Sequence, residues 1–229
     1  MKTFRGVGVG ILFAVLLFGG GAGGVEAAST TIVIQEGSDP SKDKRGELSR
    51  TTFVEGNEIY MQLYSSITVG DLTNMQKDLS ILYARRDANP ERIKINLFIS
   101  SPGGDAFSGL ALADQIKRAQ RLGFTVTASA SGLVASAAVP IFAVADTRIA
   151  APGTIFMVHE ASLWKWPGRE TASDIRSQNR LMGLLQERYI AVLADRSNLS
   201  VEEWIERERT TTWFSAKQAK EWGLVDLIQ

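Results

Sequence analysis

An alternation of strand and helix patterns from Thr51 to the C-terminus is the feature that most constrains this chain. The stretch "RIKINLFIS" becomes continuously apolar, as a strand buried in a parallel sheet does. It is followed by the break "SPGGD" and by "AFSGLALADQIKRAQRLG", whose apolar residues recur at helical spacing. The same order of strand, break and helix recurs further along the chain. It predicts an α/β fold with a largely parallel sheet and surrounding helices.

The first 50 residues do not share this pattern. Lys2 and Arg5 precede an uncharged stretch from Val7 to Val25, and "VEAAS" then offers a cleavage site after Ala27. Residues 1–27 are therefore predicted to be a signal peptide or, if uncleaved, a membrane anchor. Residues 28–50 are rich in polar, charged and turn-forming residues, which predicts an arm or linker. The folded domain is expected to span 51–229, outside the cytoplasm.

Composition excludes several classes of function. The 25 basic and 25 acidic residues balance, whereas nucleic-acid binding favours a basic surplus. With no cysteine and a single histidine, the chain can form no disulfide, thiolate nucleophile or multi-histidine metal site. We expect no cofactor, no metal and no nucleic-acid partner.

The loop "SPGGD" lies between a strand pattern and a helix pattern. Paired glycines let the backbone come close to a ligand, and the amides near a helix N-terminus favour negative charge. Such a loop suits a phosphate, a carboxylate or a developing oxyanion. A tight turn with no ligand explains the same residues equally well.

A serine and the single histidine follow two other strand patterns. Ser136 stands among alanines where the apolar stretch "TASASGLVASAAVPIFAVA" passes from strand to helix, and His159 follows the strand "TIFMV". A serine hydroxyl attacks a carbonyl only when a base takes its proton, and imidazole is the usual base. The amide of Ala137 could then stabilise the oxyanion. Close helix packing is the alternative role for Ser136.

Four motifs together resemble a known family. The segments "SPGGDAFSGLALADQI", "ASGLVASAA", "IFMVHE" and "FSAKQAKEWGLVDLI" occur in the order and approximate spacing of the Clp protease proteolytic subunit. The resemblance covers about residues 53–228 and extends to the wider Clp protease/crotonase fold superfamily. It implies a serine endopeptidase with Ser136 as nucleophile and His159 as general base. It also implies an oxyanion hole formed by the amides of Gly104 and Ala137.

The chain departs from this family at the third member of the catalytic triad. The family places an acidic residue just before the segment that corresponds to "FSA", where this sequence has Thr211. A threonine could accept a hydrogen bond from the histidine but carries no charge. Glu208 or Glu206 could take its place after a shift in register, or a Ser–His dyad could act alone.

The resemblance also implies homo-oligomeric rings that act on peptides or unfolded proteins, with the helix from about Ser173 to Asp195 joining two rings. The family's usual subunit is fed by an ATP-driven unfoldase, which would lack ATP if this chain is exported. An unfoldase partner is therefore doubtful for an exported chain, and the sequence leaves its existence open. Two other functions stay open: a non-catalytic ring or scaffold subunit, and a crotonase-like acyl-thioester enzyme.

Overall fold

The structure is a computed structural model that describes residues 49, 51–85, 93–162 and 169–229. The described residues all belong to one compact unit. The predicted leader (1–27) and nearly all of the predicted arm (28–50) lie outside them. No helix among the described ranges is long and apolar enough to cross a membrane.

Within the described ranges, eight strands and six helices alternate as the sequence pattern predicts. The strands are β1 (Thr52–Glu55), β2 (Glu58–Leu63), β3 (Lys94–Ser101), β4 (Thr125–Ala135), β5 (Thr147–Ala150), β6 (Ile155–Val158), β7 (Thr212–Ser215) and β8 (Leu227–Ile228). The helices are α1 (Val69–Arg85), α2 (Ala106–Arg121), α3 (Ala138–Ala143), α4 (Ala172–Asp195), α5 (Val201–Arg209) and α6 (Ala216–Glu221).

The strands form one mixed, mostly parallel sheet. Its main path runs β1-β2-β3-β4-β5-β8, and β6 pairs with both β4 and β7. Only the β1–β2 and β6–β7 pairs are antiparallel. The α/β prediction is therefore confirmed. The parallel pairs β3–β4 and β4–β6 bring the carboxyl ends of three strands to one edge, which is where sites gather in α/β folds.

Strand β4 changes partner along its length. Its first half pairs with β5 and its last three residues pair with β6. Against β3, the register passes from Ile99↔Ala130 to Ser101↔Val134, so two residues of β3 face four of β4. Gly132, with a φ of 65°, lies within this irregularity. Such a bulge bends a strand and redirects its end, and here it brings the end of β4 beside β6.

A cluster of aromatic residues packs α3, β6 and β7 against one another. The Phe156 ring of β6 lies 5.4 Å from the Phe142 ring of α3 and 5.4 Å from the Phe214 ring of β7. Trp204 packs edge-on against Trp222 beyond them. Phe142, Phe156 and Trp204 are fully buried. Aromatic pairs at these separations contribute about 0.5–1.5 kcal/mol each beyond burial, so α3, β6 and β7 are held together from behind.

Candidate active site

Ser136 occupies a sharp turn between β4 and α3. Its φ is 52°, in the left-handed region that few non-glycine residues adopt. Its amide donates to the Met157 carbonyl (2.8 Å), and its own carbonyl accepts from the amide of Val139 (3.0 Å) and from the Tyr189 hydroxyl (3.1 Å). The backbone is thus fixed on both sides. Strain of this kind, held by its surroundings, is typical of functional positions.

His159 follows β6 directly and meets Ser136. The pairing of Ala135 with Met157 places the ends of β4 and β6 side by side. His159 Nε2 lies 2.9 Å from Ser136 Oγ. This is hydrogen-bond distance for a base that would take the serine proton. The structure therefore brings together the serine and the histidine that the sequence singled out.

The glycine loop packs directly against the serine. A Cβ on Gly103, whose φ is 92°, would lie 2.7 Å from both the Ala135 carbonyl oxygen and Ser136 Cβ. A Cβ on Gly104, whose φ is 152°, would collide with the Ile67 backbone. Both positions require glycine. The loop can therefore be both a tight turn and a ligand-binding loop, because the tight turn is what brings it to Ser136.

The two predicted oxyanion donors face one cavity. Gly104 and Ala137 both line it. Among the described residues neither amide has an acceptor, since the pairing of Gly104 with Ile67 uses the Gly103 carbonyl and the Asp105 amide. Both N–H groups are therefore free to donate to a ligand.

The cavity beside Ser136 has a volume of about 580 Å³. That size can hold one or two amino-acid side chains of a peptide. Its lining is mostly apolar. The described lining comprises Pro102, Gly104, Asp105, Ala106, Phe107, Leu110, Ser136, Ala137, Pro140, His159, Ala161, Ser162, Met182, Leu185, Gln186 and Tyr189.

Thr211 lies across from the histidine without bonding to it. The antiparallel β6–β7 register ends at Val158↔Thr212, and its continuation sets Thr211 opposite His159. Thr211 is exposed, with a φ of 51° that is unusual for a β-branched residue. Among the described residues, the His159 side chain is hydrogen-bonded only to Ser136. The backbone thus provides a place for a third member, while the residue there forms no recorded hydrogen bond with the imidazole.

The two glutamates considered as replacements point elsewhere. Glu206 is exposed and forms an ion pair with Arg209, at 2.8 Å. Glu208 is buried, with 2% of its surface exposed, and accepts a hydrogen bond from Gln186 Nε2 (2.8 Å). The pKa of Glu208 is raised to about 7. Burial is the main cause, the hydrogen bond from Gln186 acts in the opposite direction, and the nearby charge of Glu160 adds to the rise. Neither glutamate is hydrogen-bonded to His159.

Sequence reasoning missed two residues that position the site. Tyr189, on α4, holds the Ser136 carbonyl, and burial raises the pKa of its hydroxyl well above the ordinary value, with a further contribution from Glu208. Nothing in the apolar pattern of α4 assigns a partner to this hydroxyl. Asp105 caps α2 by accepting from the Ser108 amide (2.8 Å) and hydroxyl (2.6 Å). The sequence carries a signal for this role, because an aspartate directly before a helix pattern is a preferred N-cap.

The described residues contain no group of three or more histidine, cysteine, aspartate or glutamate side chains placed to hold a metal ion. The site thus consists of a hydroxyl, an imidazole, two free amides and an apolar cavity. This set can perform nucleophilic attack on a carbonyl and stabilise the oxyanion that forms.

Comparison with known proteins agrees with the resemblance seen in the motifs. The model of the Clp protease family matches residues 44–229. ATP-dependent Clp protease proteolytic subunit 3 of Rhizobium meliloti is 31% identical over 193 residues, which cover 81% of this chain and 95% of that protein. The corresponding subunit of Bacteroides thetaiotaomicron is 29% identical over 169 residues, or 72% of this chain and 73% of that protein. A mutant of ClpP1 from Listeria monocytogenes matches in structure with a TM-score of 0.62 at 25% identity, covering 74% of this chain and 90% of that one.

Proposed function

This chain belongs to the Clp protease family, and on that premise we propose that it is a serine endopeptidase with Ser136 as its nucleophile. The observation that carries the proposal is the 2.9 Å approach of His159 Nε2 to Ser136 Oγ beside a cavity with two free amides. The alternatives have less support. The sequence shows no extended basic motif for an acyl-thioester cofactor, and a scaffold subunit would have no need of a strained serine beside a histidine.

The proposed reaction has two stages. Ser136 Oγ attacks the peptide carbonyl carbon while its proton passes to His159 Nε2, and the amides of Gly104 and Ala137 donate to the oxyanion. The intermediate then collapses, the C–N bond breaks, and His159 returns the proton to the leaving amine. In the second stage a water gives its proton to His159 and attacks the acyl-serine. The products are a free carboxylate and the regenerated serine.

The acidic third member of a catalytic triad has no described equivalent beside His159. No described carboxylate bonds to Nδ1, so no described side chain fixes the tautomer of His159 or stabilises its charged form. We propose that the chain works as a Ser–His dyad, with lower turnover than a complete triad. The support is the absence, among described side chains, of any acidic partner for His159.

Ring assembly follows from the family and is supported by α4. This helix was expected from about Ser173 to Asp195 and lies at Ala172–Asp195. Its buried residues, such as Leu193, cover the protein's own core, while Leu181 and Leu184 on other faces are exposed. A helix that is apolar on more than one side is typical of burial against a second subunit. We propose rings that act on peptides or unfolded chains.

We also propose that the chain is exported or membrane-anchored. The support is the sequence of residues 1–27 alone. Outside the cytoplasm an ATP-driven unfoldase would lack ATP, so the substrates would be peptides and already unfolded chains. N-terminal sequencing of the protein recovered from its native cells tests this proposal. A mature chain that begins at Ala28 is expected for a cleaved signal, and full-length protein in the cytoplasm would contradict export.

The hydrolytic proposal is tested with a fluorophosphonate probe and a quenched fluorescent peptide library. The full chain should be labelled and should cleave peptides. Ser136→Ala should abolish both, and His159→Ala should lower both. Ser131→Ala, which removes an exposed serine of β4, is the matched control and should behave as the wild type. Equal labelling and turnover in all four proteins would overturn the assignment, and a total lack of both in the wild type would favour the scaffold subunit.

A further inference from the structure

A hydrogen-bonded pair at the cavity wall joins the half-buried amide of Gln186 to the buried carboxyl of Glu208. Gln186 projects from α4 and lines the cavity beside Ser136. Its Nε2 donates to Glu208 Oε2 at 2.8 Å. Glu208 stands near the end of α5 with only 2% of its surface exposed. The carboxyl therefore reaches the cavity only through the amide of Gln186.

The protonation state of Glu208 influences which end of the Gln186 amide is available to bind a ligand. An ionised carboxylate can only accept hydrogen bonds, so it holds the amide nitrogen and leaves Gln186 Oε1 as a spare acceptor. A neutral carboxyl can still accept from the amide nitrogen, but its O–H can also donate to the amide oxygen, which lets the amide turn and leave its NH₂ group spare. The ionised state therefore holds Gln186 Oε1 as the spare acceptor, and the neutral state releases it.

Glu208 changes charge in the physiological range, because its pKa is raised to about 7. Burial and the charge of Glu160 raise the pKa, and the hydrogen bond from Gln186 lowers it. Other groups could contribute to a pH effect at this wall. The titratable and charged groups around the pair are Glu160 after β6, Tyr189 on α4, and His159 and Asp105 in the cavity.

The remaining cavity chemistry favours one class of side chain. Leu110, Met182 and Leu185 supply apolar wall. The described lining includes Asp105, whose carboxylate caps α2, but no lysine or arginine. An acceptor at Gln186 in such a cavity fits a substrate side chain with an apolar stem and a positively charged N–H donor at its tip.

We propose that Gln186 is a specificity-determining residue that accepts a hydrogen bond from a basic substrate side chain, and that Glu208 positions its amide to do so. This inference rests on the proposed function only in taking the cavity beside Ser136 as the place where substrate binds. It predicts that preference for a basic side chain is strong when Glu208 is ionised and weak when it is protonated.

Equilibrium binding tests the inference apart from catalysis. Fluorescein-labelled Gly-Ala host peptides carry one variable residue, lysine or norleucine, which share the same stem. Their Kd values are measured by fluorescence anisotropy on the full chain with Ser136→Ala, between pH 5.5 and 8.5. Lysine is expected to bind about tenfold more tightly than norleucine at pH 8.5, the equivalent of one charge-assisted hydrogen bond. This ratio should fall severalfold at pH 5.5.

Two variants separate the pair from other causes. Adding Gln186→Met should abolish the lysine preference at every pH. Adding Glu208→Gln should make the ratio independent of pH, whereas an effect of His159 or Asp105 would persist. Gln178→Met removes an amide of α4 that donates to Glu170 (2.9 Å) outside the cavity lining, and should leave the ratio unchanged.

A ratio that is constant with pH in the Ser136→Ala protein would overturn the inference without any further variant. A pH dependence that survives Glu208→Gln would overturn it as well. Failure of the wild type to cleave any peptide would instead refute the proposed hydrolysis, because the binding ratios are measured without turnover.

Discussion

The buried carboxyl of Glu208 should make the stability of this protein depend on pH in a predictable direction. In the folded chain the pKa of Glu208 is raised to about 7, mainly by burial, from an ordinary value of 4.5. The folded state therefore binds the proton more tightly than the unfolded state. The contribution of this group to stability is fully present below pH 4.5 and is lost as pH rises to about 7.

The size of this effect follows from the same pKa values. At about 1.4 kcal/mol per pH unit, a rise from 4.5 to about 7 corresponds to about 3 kcal/mol. Glu208→Gln removes the titration while keeping the size of the side chain and its bond to Gln186. Relative to the wild type, the variant should gain about 3 kcal/mol in free energy of unfolding between pH 4.5 and pH 8.

Urea unfolding followed by tryptophan fluorescence at these two pH values measures the gain. Trp204, which is fully buried, should report loss of the surrounding core. Glu206→Gln removes an exposed carboxyl from the same helix and controls for the loss of one negative charge. If wild type and Glu208→Gln keep a constant difference in stability at both pH values, Glu208 is not desolvated in the way its burial requires.

Three further predictions concern the site and its support. Gly104→Ala should displace the loop, because its Cβ would collide with Ile67, and should lower kcat for peptide cleavage by about 10²–10³, the usual effect of losing one oxyanion donor. Gly153→Ala, where a Cβ meets nothing within 4 Å, is the control and should leave kcat unchanged. Equal kcat values in the two variants would contradict the oxyanion assignment. Thr211→Asp should raise kcat at least about tenfold by supplying the missing charge opposite His159. Thr211→Asn relieves the same left-handed strain without the charge, so an equal increase in both variants would rule out the electrostatic cause. Asp226→Asn should cost about 2 kcal/mol of unfolding free energy, because Arg148, with 10% of its side chain exposed, would lose the carboxylate that it contacts at 2.6 Å; the 38% exposure of Asp226 lets solvent screen part of the loss. Asp114→Asn breaks the exposed pair with Arg188 and should cost under about 1 kcal/mol. A similar loss in both variants would contradict the role of burial.

Local sequence patterns predict much of the secondary structure. The helical spacing of Leu72, Met75, Leu79 and Leu82 falls within α1, and Ser200 caps α5 as its position before the helix pattern predicts. These features depend on residues a few positions apart, so they can be read from the chain directly. The strand after α2 depends on more distant partners. The alternating pattern of "FTVTASA" ends at Ala130, whereas β4 continues to Ala135, because the bulge at Gly132 and the pairing with β6 are set by partners distant in sequence.

The site divides in the same way. The amino-acid sequence determined the types of residue available: one histidine, a serine among small residues, and a glycine pair after an apolar strand. Their order along the chain also indicated the family. These are properties of composition and spacing, and they need no partner from elsewhere in the chain.

Only the tertiary structure decided which groups meet. It brought Ser136 and His159 to hydrogen-bond distance, left Thr211 opposite the histidine without a hydrogen bond to it, and buried Glu208 behind Gln186. It also connected Tyr189 to the serine backbone, 53 residues away in sequence. Such contacts depend on the register of β6 and on how α4 and α5 pack. A pKa near 7 for a glutamate arises from that packing, because the desolvation that causes it exists only once the chain has folded.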